Sequence, residues 1–140
     1  EYQWLESEEP PAWTPLAKPL SESKLGLICT GGIYCAGQTA FHFKDDTSYR
    51  AIPTDVDVED LRATHFAYDL TDARKDINVV FPVNQLRTMV DEGVVDSLAP
   101  NAYTLMGGIY STRRVVEELI PALVDRVLAD EVDVVLLVPV

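Results

Sequence analysis

Apolar positions along the chain fall into two rhythms, and the alternation between them predicts the fold. Leu25 to Cys29 is a short continuous apolar run ending at Thr30-Gly31-Gly32, which reads as a strand closed by a tight turn. Pro82 then stands at the first turn of a helix whose apolar positions are Val83, Leu86, Met89 and Val90, with Gly93 as its stop. Val94 to Ala99 predicts a second strand, interrupted at Pro100 and resumed through Tyr103 to Met106, and it also ends in a glycine pair, Gly107-Gly108. Ser111 or Thr112 suits the cap of a further helix, where Val115, Val116, Leu119, Ile120, Leu123, Val124, Val127 and Leu128 form one apolar stripe. Pro121 lies inside that stripe and lacks an amide donor, which predicts a kink or two abutting helices. Val132 to Val138 closes the chain as a β-branched run of buried-strand type.

The order strand, helix, strand, helix, strand predicts an α/β fold, with an open, mainly parallel sheet and flanking helices over residues 24–140. An extended Pro-rich N-terminal arm, residues 1–23, is expected to precede it, because Pro10, Pro11, Pro15 and Pro19 exclude helix and sheet interior alike. That arm also carries the acidic Glu6, Glu8 and Glu9 and two tryptophans, Trp4 and Trp13. Burying an indole removes a large apolar surface from water, so the arm is expected to lie on the domain or on a partner with Trp13 as its anchor. Between the clear elements, Ile33 to Tyr49 has no sustained period, and Lys44 to Ser48 reads as a surface turn. Asp55 to Leu61 suits a short helix capped by Asp57, with Asp60 as the answering carboxylate of a capping box. Thr64 to Asn78 is polar and aperiodic, yet it holds His65, Tyr68, Asp69, Asp72 and Asp76; such stretches are uncommon in compact domains unless they serve a site.

Composition narrows the partners. At 140 residues, 47% of them hydrophobic, the chain is long enough for one core and too short for two. A formal net charge of -12 argues against nucleic acid and against an anionic membrane surface. No apolar stretch approaches the roughly 20 residues of a membrane span and no signal pattern opens the chain, so a cytoplasmic protein is expected. Cys29 and Cys35 are too few for a disulfide scaffold and are expected to be reduced thiols. Together with His42 and His65 they match no standard metal motif, and no metal is assigned.

A parallel sheet brings the C-terminal ends of its strands to one edge, where ligands bind. Thr30, Gly31, Gly32, His65, Asp69, Tyr103, Met106 and Gly107 are therefore the substrate-binding candidates, expected to converge near Val140. The two glycine turns offer backbone N–H groups to an anion but match neither a Walker loop nor a G-x-G-x-x-G fingerprint, and both also serve as plain turns. Asp69 beside His65 would hold the imidazole tautomer and raise its pKa; the alternative is that both residues only hydrogen-bond a buried loop. His42, between Phe41 and Phe43, reads as a packed or surface histidine, and Cys35 as a bystander thiol. The reacting group of such a sheet belongs on the loop beyond Pro139-Val140, so the sequence reads as the N-terminal portion of a longer protein with no catalytic residue within 1–140. The apolar stripe and the sheet would then be partly uncovered, which predicts association.

Several short motifs in register carry a resemblance. Ser48-Tyr49-Arg50-Ala51-Ile52-Pro53, Asp60-Leu61, His65 with Tyr68-Asp69, Asp76 through Pro82, Leu98-Ala99-Pro100, Tyr103 and Met106-Gly107 resemble the selenoprotein B family of glycine, sarcosine, betaine and D-proline reductases, over about Trp13 to Val140. The resemblance implies a reductase subunit acting on an amino acid or betaine by reductive cleavage of a C–N bond. It also implies a selenocysteine or cysteine following the strand that corresponds to Val132 to Val138, partner subunits in a homo- or hetero-oligomer, and a pyruvoyl group on one of those partners. This sequence departs from the pattern by ending before the reactive motif, so a non-catalytic binding or assembly module with the same fold stands as the alternative.

Overall fold

The computed structural model describes residues 9–140; Trp4, Glu6 and Glu8 lie outside the described residues. Residues 9–19 form no regular secondary structure and are exposed. Trp13 is 88% exposed, so the expected anchor on the domain is not made: its flanking prolines deny this stretch the ladder hydrogen bonds that would hold it against the sheet. Further along, Lys18 pairs with Asp133 at 2.8 Å and the Asp96 amide donates to the Leu20 carbonyl.

The sheet is built around β1 (Lys24–Cys29). On one edge it pairs in parallel with β7 (Val134–Val138), from Leu25↔Val134 to Cys29↔Val138. β5 (Ser97–Leu98) and β6 (Asn101–Leu105) also pair with β1 in parallel. Because Leu25 faces both Leu98 and Val134, and Ile28 both Tyr103 and Leu137, β5 and β6 share the edge opposite β7. They amount to one strand interrupted at Ala99-Pro100, as the sequence predicts. Antiparallel β3 (Tyr49–Pro53) lies outside β6, while β2 (Ile33–Cys35) and β4 (Leu61–Ala63) form a separate antiparallel ribbon. These three strands were not predicted. Two are too short for alternation to register, and β3 buries only Ile52.

Helices cover both faces. Leu25, Leu27 and Cys29 pack in one cluster with Phe81 and with Val83 and Leu86 of α2 (Val83–Asp91), the helix expected after Pro82. Gly93, just past it, has φ +71°, the left-handed conformation of a helix stop. Ile28 faces the other way, against Leu119, Leu123 and Tyr103. Those leucines belong to a long helix made of α3 (Thr112–Arg114), a π-helical segment (Val115–Leu119) and α4 (Ile120–Ala129), with Ser111 as its N-cap. Pro121 falls in the first turn of α4, directly after the π-helical segment, so the stripe is carried by abutting helical segments, one of the two expected outcomes; the Ile120 amide closes the π turn on the Val115 carbonyl.

Three further expectations change in detail. Thr64 to Asn78 is not wholly irregular, since it holds α1 (Thr71–Lys75) and the start of a 3₁₀ turn, Ile77–Val79. Asp57 does cap the 3₁₀ turn Val58–Asp60 through the Glu59 amide, but Asp60 returns no carboxylate bond; its own amide donates to the Asp57 carbonyl. β7 is a strand as predicted, although not a buried one. It forms the sheet edge, with Leu137 65% exposed.

Candidate functional site

Thr30, the residue after β1, ties the strand ends together. Its amide donates to the Val138 carbonyl at 3.0 Å and its carbonyl accepts from the Gly107 amide at 2.9 Å, while its hydroxyl accepts from the Val140 amide at 2.8 Å. Beside it, Gly31 bridges Met106, and the Gly32 amide donates to the Leu105 carbonyl. Gly32 has φ +67°, and a Cβ there would collide with the Thr64 carbonyl oxygen; only glycine lets the two segments approach. That approach places His65, the next residue, on the rim.

His65 is 5% exposed. Its Nδ1 accepts a hydrogen bond from the Ala67 amide at 3.0 Å, so in the neutral ring Nε2 carries the proton. Nε2 is buried without a hydrogen-bond partner. Nε2 lies against Gly107, where a Cβ would be 2.9 Å from Nε2, 3.2 Å from the Val140 carbonyl oxygen and 3.3 Å from that of Thr30. Burial holds the His65 pKa below the ordinary histidine value, with the Thr30 carbonyl opposing. Tyr68 leans on the imidazole, ring centroids 4.6 Å apart, and donates its hydroxyl to the Gly31 carbonyl at 2.9 Å. Burial pushes its phenol pKa up. Phe66 stacks on the outer side of His65 and lies against Gly108.

The structure thus brings together Thr30, Gly31, Gly32, His65, Met106 and Gly107 beside Val140, and it places two predicted residues elsewhere. Asp69 does not touch His65: exposed, it accepts from the Thr71 amide and hydroxyl, which hold its carboxyl below the usual carboxylate range. The five-residue span from His65 to Asp69 is irregular, so sequence proximity does not bring the two together. Tyr103 points to the opposite face of the sheet, where its hydroxyl donates to Asp130 at 2.6 Å and its ring meets Tyr49 edge-on. Tyr68, the phenol of the His65–Asp69 run, joins the rim although it is not among the predicted binding residues; in an irregular segment no periodicity marks it out.

Neither cysteine looks like a nucleophile. Cys29 is fully buried and its thiol is pushed up to about 12, while burial and Asp60 both raise that of half-buried Cys35. Both are free thiols. Among the described residues no three His, Cys, Asp or Glu side chains converge as metal ligands, and no helix is long and apolar enough to cross a membrane.

Because burial favours neutral His65, protons bind it less readily in the folded chain than in the unfolded one. Stability is therefore expected to be full above the ordinary histidine pKa of about 6.5 and to fall as pH drops through and below it. Urea titrations at pH 7.5 and 5.5 check this. His65→Gln should flatten the dependence between those values, and an unchanged slope would locate the pH sensitivity elsewhere.

A mainly parallel sheet whose strand ends meet at a glycine-built rim, with a buried imidazole beside it, defines an α/β domain with its candidate site at one edge. Residues 1–140 match the family described as glycine/sarcosine/betaine reductase selenoprotein B, and the chain belongs to that family. It is 36% identical over 128 residues to D-proline reductase subunit gamma of Acetoanaerobium sticklandii, covering 91% of this chain and 53% of that protein. It is 31% identical over 98 residues to glycine reductase complex component B subunit gamma of Symbiobacterium thermophilum, covering 66% of this chain and 23% of that one. The chain therefore spans about half the length of the first relative and a quarter of the second. No solved structure gives a significant match.

Proposed function

We propose that this chain supplies the strand-end rim of a reductase subunit that binds an amino acid or betaine and takes part in reductive cleavage of its C–N bond. The observation that carries the reading is the buried His65 Nε2–H, which makes no well-formed hydrogen bond, has only the Thr30 carbonyl acting on it, and lies against Gly107 beside Val140. A preorganised donor of this kind suits an anion: a substrate carboxylate, or the selenolate or thiolate that the family places after this strand. Family membership and the names of the two relatives support the reductase class. His65 would hold the anion, the glycines would admit it close to the backbone, and Phe66 and Tyr68 would keep water from the imidazole. The residues present fit a selenolate or thiolate supplied beyond Val140, whose chemistry is nucleophilic attack on the α-carbon. Partner subunits, a pyruvoyl group on one of them, and a cytoplasmic location belong to the same reading.

The 140-residue chain alone, given a dithiol, is expected to form no ammonia from glycine, no trimethylamine from betaine and no ring-opened 5-aminovalerate from D-proline. In the enzyme assembled with the remaining polypeptide and partner subunits, His65→Ala should lower kcat at least tenfold while shifting Tm by only a few degrees. Unchanged turnover would favour the purely architectural module.

A further inference from the structure

Behind the rim, on the face of the long helix, a groove of about 620 Å³ runs between that helix and the β1/β7 edge of the sheet. Its walls and floor include Ile120, Val124, Leu128, Ile28, Val135 and Leu137, and among the described residues Thr30 is its only polar lining residue. Leu128 is 69% and Leu137 65% exposed. For a chain of net charge -12 this is an unusual surface, and contiguous apolar patches of this kind mark places where something docks. The outer edge of β7 is open as well, since β7 pairs only with β1 among the described residues. An apolar groove beside an unpaired parallel strand invites a helix followed by a strand.

Topology fixes which face such a helix would take. The step from β1 to β5 and β6 goes one way across the sheet, with α2 on the Leu25/Leu27/Cys29 face; the step from β6 to β7 passes back over β1, with the long helix on the Ile28 face. Steps in opposite directions lie on opposite faces, as a constant crossover hand requires. A further parallel strand outside β7 continues in the direction of the second step, so its crossover helix must lie on the same face as the long helix. The groove is on that face. The first relative supplies the length, since 47% of it lies outside the match.

We infer that the groove seats an amphipathic crossover helix, and the open edge of β7 a parallel strand, both from the half of the selenoprotein B proteins that this chain does not match. The inference rests on family membership and topology, independently of the role proposed for His65. A second copy of this chain is the competing occupant.

The test is co-expression of the 140-residue chain with the part of the A. sticklandii D-proline reductase subunit gamma outside the matched region, carrying an affinity tag. A one-to-one complex is expected, with slowed hydrogen exchange confined to Ile120–Leu128 and Val134–Val138. Leu137→Glu or Val124→Glu should weaken it at least tenfold. Both positions are exposed, so each variant should keep the wild-type circular dichroism, and Val79→Glu, also exposed but outside the groove, should bind as wild type. Failure to co-purify, binding that survives both groove substitutions, or light scattering that shows a homodimer abolished by the same substitutions would overturn the inference.

Discussion

Replacing Gly32 with alanine is expected to lower stability by about 3 kcal/mol or more, a fall in Tm of about 10 °C for a chain of this length. Two effects add. The left-handed conformation at φ +67° strains any L side chain, and the new methyl would run into the Thr64 carbonyl, a main-chain atom that cannot swing aside. Relief requires the His65 segment to part from the end of β1, so the rim should open along with the loss of stability. Gly37→Ala provides the comparison, since at φ +92° with nothing within 4 Å it pays only for backbone conformation, about 1 kcal/mol. Thermal melts of the two variants separate the terms. Equal losses would mean that the approach of Thr64 is not what requires glycine.

Phe81→Ala should be the other severe change, at about 3–5 kcal/mol. Phe81 is the largest side chain with no exposure, and it lies in the cluster formed by α2 and β1. Its backbone is fixed too: its amide donates to Ile77 and its carbonyl accepts from Val83. A domain of this size holds only about 5–15 kcal/mol in total, so the loss should remove at least about a fifth of the wild-type margin in urea. The neighbouring Val80 is the residue that a Cβ at Gly31 would meet first, at 3.2 Å, so a void at Phe81 should be felt at the rim as well as in the core. A loss below about 1 kcal/mol, like that expected of exposed Phe43→Ala, would mean that the pocket collapses around the missing ring.

What the sequence made legible follows from how each element is held. β1, α2 and the long helix bury apolar residues with a clear period, and they were readable. The break at Pro100 was readable because proline lacks the ladder donor. β2 and β4 were not, because three residues paired across a ribbon leave no pattern beyond the local one. A partly uncovered sheet and stripe were expected, but not which side chains stay open: a β-branched run shows that a strand forms there, not that Leu137 is left exposed. At the site, the glycine pairs and His65 carried signals of their own. The direction of Tyr103 depends on strand register, which places it opposite Ile28 on the helix face. The partner of Asp69 is set by a local turn onto Thr71. Both facts are invisible without the fold.

Thr30 joins the ends of β1, β6 and β7 through its amide, its carbonyl and one hydroxyl, and most of those links are main chain to main chain. A rim drawn largely in backbone takes its outline from the chain path, and side chains alter it only where they crowd that path, as at Gly32 or behind Gly31. Evolution can exchange the surrounding side chains, and with them the size and charge of what is admitted, while the frame that presents it keeps its shape. On the proposed reading, a family whose description names glycine, sarcosine and betaine could vary what such a frame meets without rebuilding it.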